Sequence, residues 1–188
     1  MMEKVSEAIV FAVNAHDGMR RRGNDAPYIL HPLEAATIVG TMTEDQDIIA
    51  AAVLHDVVED AGISMEEIES KFGKRVRELV SCETENKRED LPASETWRIR
   101  KEETLQALSE ATDPGVWMMW LGDKLSNIRA FYRQWKAEGD DMWKKYNQPD
   151  PDAQAWYYKS IAEHTKQLSH MGAWIEFNHL TNLIFKKG

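Results

Sequence analysis

Apolar residues recur along this chain at intervals of three and four positions, which is the spacing that places them on one face of an α-helix. The clearest example is the segment from Lys4 to Ala15, where apolar residues stand at positions 5, 8, 9, 12 and 13. The alternating pattern typical of strands is nearly absent. The sequence therefore predicts an all-α fold class.

Helix start and stop signals set the bounds of the predicted elements. Pro32 suits the first turn of a helix, and Asp45 or Asp47 is suited to begin the next one. Ser64 and Glu67 are spaced as a capping box, in which each side chain serves the backbone amide of the other residue. The predicted helices share these signals and the helical spacing of apolar residues, and they cover residues 4–15, 32–42, 45 or 47 to 60, 65–72, 74–82, 95–111, 116–137, 140–146, 152–170 and 172–186.

Two other stretches bear on the organisation of the chain. Residues 83–94 are polar and contain Pro92, so we predict a flexible loop there. All seven tryptophans lie beyond residue 96, and we expect most of them to pack in the core of this polar half. A length of 188 residues suits one domain, and we predict a single domain over residues 1–188.

Composition excludes several classes of partner. The chain carries 23 Lys and Arg against 32 Asp and Glu, and a net charge of −9 argues against broad binding to DNA, RNA or an anionic membrane. The longest apolar run is seven residues, far below the roughly 18 of a transmembrane helix. The N-terminal residues do not have the form of a secretory signal, and the single cysteine, Cys82, fits a reducing compartment. We therefore predict a cytoplasmic protein whose partner is a small molecule, while the oligomeric state stays open.

The negative charge is concentrated in one region. Residues 44–70 contain nine acids and no Lys or Arg, so this stretch accounts for the whole excess. The predicted helix through residues 50–60 is apolar on nearly every side, which is typical of a buried helix, yet it carries His55, Asp56, Glu59 and Asp60. Spacing of four places His55 with Glu59 and Asp56 with Asp60 on adjacent faces. Buried carboxylates without cations indicate a divalent metal ion, although acids at a helix end are often simply solvated.

Two more polar residues stand in apolar or rigid settings. His31 lies just before the predicted helix start at Pro32. A histidine at this position could also be just part of the turn that leads into the helix. Asp123 lies in an apolar helical stretch, where it could instead pair with Lys124 or Arg129.

The order His31, His55-Asp56, Asp123 resembles the H…HD…D pattern of the HD superfamily of metal-dependent phosphohydrolases. The segments that make the resemblance more specific are His55-Asp56-x-x-Glu59-Asp60, Pro27-Tyr28-Ile29-x-His31-Pro32 and Asp123-Lys124-Leu125-Ser126-Asn127. They are similar to the hydrolase domain of the RelA/SpoT family, and its small stand-alone members fit this length best. The resemblance covers residues 5–135 and implies an HD-domain helical bundle, in which residues 136–188 form additional C-terminal helices of the same domain.

The resemblance implies a set of metal ligands, which are His31, His55, Asp56 and Asp123, and it implies Mn²⁺ as the ion. Two imidazoles with two carboxylates suit Mn²⁺ and would also accept Fe²⁺ or Zn²⁺. By the same resemblance, Glu59 and Asp60 position and activate the attacking water. Of these two we favour Glu59 as the base, because it lies one helical turn from His55.

The resemblance also implies a reaction and its substrate contacts. The reaction is hydrolysis of the 3′-diphosphate of guanosine 3′,5′-bis(diphosphate) (ppGpp or pppGpp), with release of pyrophosphate, as in the stringent response. Phosphate contacts are expected from two members of the run Arg20, Arg21 and Arg22, and the register leaves open which two. An arginine run can also be a solvated loop. Asn127 matches a residue that contacts the nucleotide in relatives.

One departure from the family pattern keeps other functions open. Trp120 stands where many relatives carry a lysine, so that a phosphate contact is weakened or an aromatic face is offered for stacking. An alternative function is therefore an HD phosphatase acting on another nucleotide, such as NADPH or an adenosine alarmone. A catalytically silent nucleotide-binding module is a further alternative, against which the intact ligands and the intact Glu59-Asp60 pair argue.

Overall fold

The structure is a computed structural model that describes residues 2–21, 25–88 and 90–186. These ranges contain no strand beyond one isolated bridge between Arg20 and Pro27. The predicted all-α class is confirmed. The α-helices in chain order are α1 (Lys4–Ala15), α2 (Leu30–Val39), α3 (Gln46–Leu54), α4 (Val57–Ala61), α5 (Met65–Phe72), α6 (Lys74–Glu83), α7 (Ala93–Glu110), α8 (Pro114–Glu138), α9 (Pro151–His164) and α10 (Gly172–Ile184).

Helix α3 lies at the centre of the N-terminal half. It packs against α1, α2, α6 and α8, and its residues from Ala50 to Leu54 are all buried. Such enclosure agrees with a segment that is apolar on nearly every side. Helix α8 is the longest element, and its first half is buried against α2 and α3 while its second half contacts α10. Helix α8 therefore packs against helices from both the N-terminal and the C-terminal half of the chain.

Several predicted bounds are confirmed and others are wrong. Helix α1 has the predicted bounds, and the Ser64 side chain accepts a hydrogen bond from the Glu67 amide as the first half of a capping box requires. Helix α2 begins at Leu30 and not at Pro32, so His31 lies inside its first turn and not before it. Helix α2 also ends at Val39, three residues before the predicted end.

The predicted continuous helix to residue 60 is wrong, because the chain turns at His55 and Asp56 between α3 and α4. Asp45 caps α3 by accepting a hydrogen bond from the Asp47 amide at 2.9 Å. At the other end, His55 Nδ1 lies 2.8 Å from the carbonyl oxygen of Ala52. A continuing helix would use that carbonyl for the amide of residue 56, so the imidazole competes with the backbone there.

The C-terminal helices contribute an aromatic part of the single hydrophobic core. The predicted helix at 140–146 is a 3₁₀ helix, Gly139–Lys145, and the predicted helix 152–170 ends at His164 before a second 3₁₀ turn. Trp143 packs edge-on against Phe131 and stacks on Phe185. All seven tryptophans are buried or packed against the core, as expected. Within the described ranges, no helix has both the length and the hydropathy to cross a membrane.

Gly122 allows α2 and α8 to approach each other closely. A Cβ atom at this position would lie 2.7 Å from Cγ2 of Val39 and 3.0 Å from the carbonyl oxygen of Ala35. Real Cβ atoms essentially never approach other atoms so closely, so any side chain here would push the two helices apart. Because α2 carries His31 and α8 carries Asp123, this contact also sets the spacing of the site described below.

We expect Gly122→Ala to lower the free energy of unfolding by about 1–3 kcal/mol through overpacking of the α2–α8 contact. The matched control is Gly172→Ala, because a Cβ atom at Gly172 would have no heavy atom within 4 Å. That control should be neutral or slightly stabilising, since alanine favours helix over glycine. Urea unfolding of both variants measures the difference, and equal stability of Gly122→Ala and the parent chain would contradict the close-packing argument.

Candidate metal centre

The structure brings together the four predicted ligands from two helices and one turn. His31 lies in the first turn of α2, His55 and Asp56 form the turn between α3 and α4, and Asp123 lies within α8. His31 Nε2 is 3.0 Å from Asp123 Oδ1, and His55 Nε2 is 3.0 Å from Asp56 Oδ2. The crossed distances are 3.6 Å from His31 Nε2 to Asp56 Oδ2 and 3.8 Å from His55 Nε2 to Asp123 Oδ1. The two Nε2 atoms therefore face the same small space, with one carboxylate near each.

Three of these residues have donor atoms close enough to hold one metal ion. Donor atoms of His31, His55 and Asp123 all lie within 4.8 Å of one another. Asp56 is not part of this three-residue group, although its Oδ2 approaches both imidazoles. Residues His31, His55 and Asp123 are each buried. The arrangement is therefore a possible metal site with Asp56 at its edge.

Hydrogen bonds to the other ring nitrogens orient both imidazoles. The Ser126 hydroxyl donates to Glu34 at 2.9 Å, so the Ser126 oxygen accepts from His31 Nδ1, which is also 2.9 Å away. In the same way His55 Nδ1 donates to the Ala52 carbonyl. In its neutral form with the proton on Nδ1, each ring presents an Nε2 lone pair to the shared space, which is how histidines in metal sites are usually held.

The buried Nε2 of His55 supports the fit of a cation. Within the described residues it makes no hydrogen bond of acceptable geometry, even though Asp56 Oδ2 is 3.0 Å away. Burial lowers the pKa of His31. Burial acts in the same direction at His55, but the nearby carboxylates, Asp56 foremost, together outweigh it and raise the pKa of that imidazole. Burial alone would raise the pKa of Asp123, but its neighbouring cation Lys124 and the imidazoles hold that pKa well below the usual value. An ionised carboxylate is the form that binds a metal ion.

Glu59 and Asp60 lie beside the four residues, where Lys87 contacts both of them and Tyr28 contacts Asp60. The Tyr28 hydroxyl is 2.7 Å from Oδ2 of both Asp56 and Asp60, and burial raises its pKa, so it stays a hydrogen-bond donor. Lys87 Nζ donates to Asp60 Oδ1 at 2.5 Å and lies 3.4 Å from Glu59 Oε1. Lys87 therefore engages one oxygen of Asp60, and the single proton of Tyr28 is shared between the other oxygen and Asp56.

The position of Glu59 differs from that of Asp60. Its Oε2 accepts a hydrogen bond from the backbone amide of Glu85 at 3.2 Å. Burial raises the pKa of Glu59, and this outweighs the opposing effects of the Glu85 amide and the Lys87 charge. The Glu59 carboxylate is thus a stronger base than an ordinary glutamate, because basicity rises with pKa.

Lys87, which lies outside residues 44–70, corrects the expectation that the acids there have no cationic partner. Lys87 comes from the polar stretch after α6, and Lys124 contacts the carboxylate of Asp123 in α8. The pairing of Asp123 with Lys124 was one of the alternatives from the sequence, whereas Arg129 pairs with Glu34 and Glu176 instead. A count of charges over residues 44–70 could not detect Lys87, because it reaches the site through the tertiary fold, whereas Lys124 is the chain neighbour of Asp123.

The stretch after α6 is not only a connecting loop. Residues 84–88 and 90–92 are non-helical as predicted, but they contribute Lys87 and the Glu85 amide to the site. Glu83, the last residue of α6, is buried, and burial raises the pKa of its carboxyl to about 8. The prediction of a flexible loop therefore missed a wall of the site.

Two adjoining cavities open at the centre. The smaller, of about 200 Å³, is lined by the four predicted ligands, Glu59 and Asp60. The larger, of about 630 Å³, extends from it toward the C-terminal helices. The lining residues that the two cavities share are Arg21, Tyr28, Arg100, Lys101, Lys124 and Asn127. A ligand could therefore span from the candidate metal centre into the larger space.

The predicted substrate contacts are divided among different places. Arg21 lines both cavities and donates to Asn127 Oδ1 at 2.8 Å, while Asn127 Nδ2 donates to Asp123 Oδ1 at 2.5 Å. Arg20 is exposed and its guanidinium lies 3.5 Å from the carbonyl oxygen of Asp25. Arg22 lies outside the described residues. Of the run, the structure thus brings Arg21 to the site.

Trp120 does not offer a free face for stacking. It is 2% exposed, and Lys124 Nζ lies 4.6 Å from its ring centroid in the geometry of a cation–π contact. Although Trp120 lines the smaller cavity, its face is thus already covered. The expectation that Trp120 stacks on a substrate is therefore not supported by this geometry.

Comparison with known proteins decides the family. A family model described as "HD domain" matches residues 8–146 of this chain. The chain belongs to the HD domain family. The HD resemblance that the motifs suggested is confirmed, whereas the assignment of residues 136–188 to the same domain stays a prediction.

Curated relatives of this HD domain are much longer proteins. One is guanosine-3′,5′-bis(diphosphate) 3′-pyrophosphohydrolase of Aquifex aeolicus, 34% identical over 130 residues, which are 69% of this chain and 18% of that protein. Another is GTP pyrophosphokinase rsh of Brucella ovis, 37% identical over 129 residues, which are 67% of this chain and 16% of that protein. The chain therefore spans less than a fifth of the length of these relatives.

Solved structures share the fold over most of the chain. The lmo0812 protein of Listeria monocytogenes EGD-e is 28% identical with a TM-score of 0.73, and the match covers 84% of this chain and 99% of that one. A metazoan ortholog of SpoT, described as hydrolysing ppGpp, has a TM-score of 0.75 at 24% identity and covers 97% of this chain and 96% of its own. The second likeness bears on the fold alone.

Some residues around the centre had no role in the sequence prediction. Tyr28 lies in the Pro-Tyr-Ile segment and Ser126 in the segment after Asp123, so both could have been suspected from their place in the motifs. Lys87 and Glu85 lie in a polar stretch without periodicity, and no local signal identifies them. The residues that they contact, Glu59 and Asp60, are 26 to 28 positions away in the sequence.

We expect Lys87→Gln to raise the pKa of Glu59 further above its usual value, because the Lys87 charge is one of the influences that lower it. Carboxyl-resolved NMR titration of the chain without added metal measures this pKa directly. Lys144→Gln, which removes an exposed lysine paired with Asp141, is the control and should leave it unchanged. A Glu59 pKa that falls or does not move in Lys87→Gln would show that Lys87 does not act on this carboxylate.

Proposed function

We propose that this chain is a metal-dependent hydrolase of guanosine 3′,5′-bis(diphosphate), ppGpp or pppGpp, that removes the 3′-diphosphate as pyrophosphate. The observation that carries the proposal is the convergence of His31, His55, Asp56 and Asp123 beside Glu59. The name of the Aquifex aeolicus relative, which is 34% identical over 130 residues, supports this choice of substrate.

The four converging residues would hold the ion, which we propose to be Mn²⁺. The donor set supports a borderline cation, and Fe²⁺ or Zn²⁺ would also be accepted by two imidazoles and two carboxylates. When bound, a divalent ion polarises a phosphoryl oxygen and makes water more acidic. Ser126 and the Ala52 carbonyl keep the Nε2 atoms of His31 and His55 available for it.

Glu59 is the proposed general base. Lys87 donates to Asp60 at 2.5 Å and Tyr28 lies 2.7 Å from its other oxygen, whereas Oε1 of Glu59 is 3.4 Å from Lys87. Burial raises the pKa of Glu59, which strengthens it as a base. In this scheme Glu59 takes a proton from the attacking water, and Asp60 with its two partners orients that water.

Arg21 and Asn127 are the proposed contacts to the nucleotide. Both line the two cavities, so they lie where a substrate would pass from one to the other. The guanidinium of Arg21 can bind a phosphate in bidentate fashion while Asn127 fixes its position. Contacts from Arg20 and Arg22 stay predictions from the sequence.

The activity test uses purified chain with Mn²⁺ and a panel that contains ppGpp, NADPH and an adenosine alarmone. We expect pyrophosphate release from ppGpp, and we expect Asp56→Ala to reduce it by at least about a hundredfold because it removes a ligand. Asp141→Ala, a change at an exposed carboxylate that lines neither cavity, is the control and should be fully active.

Other outcomes of this assay would contradict parts of the proposal. If the chain released orthophosphate from NADPH and nothing from the other nucleotides, the assignment of ppGpp as the substrate would be wrong. Full activity of Asp56→Ala would contradict the metal mechanism. Binding of nucleotides without turnover of any of them would favour the silent module.

A further inference from the structure

The larger cavity has a charge opposite to that of the whole chain. Its ionised lining residues are five cations and a single carboxylate, within the part of the chain that the structure describes: Arg21, Arg100, Lys101, Lys124, Arg133 and Glu138. The protein as a whole has a net charge of −9. A cationic cavity in an acidic protein attracts an anionic ligand locally.

Arg100 and Lys101 are held in place at the boundary of the two cavities. Arg100 Nη1 donates to Glu85 Oε2 at 2.7 Å, and Lys101 Nζ donates to Glu85 Oε1 at 2.5 Å. Thr104 also donates to Oε1 of Glu85 at 3.2 Å. The side chains of Arg100 and Lys101 are only 11% and 15% exposed, so both cations are largely removed from water.

One carboxylate serves two cations in this cluster, which leaves an excess positive charge next to the cavities. Burial lowers the pKa of Lys101, and the charge of Glu85 opposes this effect. Burying a cation is costly unless an anion compensates it. The cluster is thus better matched electrostatically when an anion lies in the adjoining space.

Building on the proposed function, we propose that Arg100 and Lys101 bind the second diphosphate of the substrate, the 5′-diphosphate that is not cleaved. With the 3′-diphosphate at the candidate metal centre, the remainder of the nucleotide has to extend from the cavity of about 200 Å³ into that of about 630 Å³. The strongly anionic group of that remainder is the 5′-diphosphate. Arg100 and Lys101 therefore select for nucleotides that are phosphorylated at both ends of the ribose.

The test measures binding of GDP and of guanosine by titration calorimetry, with the protein freed of metal by a chelator. We expect the parent chain to bind GDP more tightly than guanosine. Arg100→Gln and Lys101→Gln should each weaken GDP binding by about tenfold or more, because each removes a charged hydrogen bond. Guanosine binding should not change, and Arg100→Lys should retain most of the GDP affinity.

Lys144→Gln removes the same charge from an exposed site and is the matched control. Thermal unfolding of every variant checks that the fold is kept. The proposal would be overturned if Arg100→Gln and Lys101→Gln bound GDP as tightly as the parent chain. It would also be overturned if the variants lost affinity for GDP and for guanosine to the same extent. GDP binding needs no hydrolysis, so the two proposals fail separately. If the parent chain hydrolyses ppGpp but the two variants bind GDP as tightly as the parent, only the subsite is rejected. If the parent chain does not hydrolyse ppGpp, the proposed function is rejected.

Discussion

The burial of two imidazoles and two carboxylates at one point is the constraint on which the rest of this structure depends. Such groups are costly inside a protein unless each is hydrogen-bonded or paired. Each of them has a partner: Ser126 for His31, the Ala52 carbonyl for His55, Tyr28 for Asp56 and Lys124 for Asp123. Ser126 and the Ala52 carbonyl occupy Nδ1 of the two rings, so both Nε2 atoms face one shared space, where they meet Oδ2 of Asp56 and Oδ1 of Asp123.

Helix packing brings these groups together and orders the charges around them. The close contact of α2 with α8 at Gly122 sets the spacing between His31 and Asp123. From this point the charge changes sign along the two cavities, from the carboxylates around the centre to the cations that line the larger space. A net charge of −9 therefore argues only against a large anionic partner, while a small nucleotide is compatible with the local charge.

The sequence predicted the parts of this arrangement that depend on local pattern or on motif order. The bounds of α1, the Ser64 cap and the burial of α3 follow from periodicity and capping, and the order of the four proposed ligands is enough to indicate the HD family. The turn at His55 could not be predicted, because the spacing of apolar residues contains no information on whether a side chain competes for a backbone carbonyl. Lys87 and Arg100 reach the site only through tertiary packing, so no local pattern identifies them.

The central claim is that His31 and His55 ligate one divalent ion. Electron spin-echo envelope modulation of the chain loaded with one equivalent of Mn²⁺ tests it most directly, since it detects ¹⁴N nuclei bound to the ion. The account predicts modulation from two imidazole nitrogens, falling to one in His31→Ala and to one in His55→Ala. Absence of ¹⁴N modulation, or modulation that neither substitution changes, would contradict it.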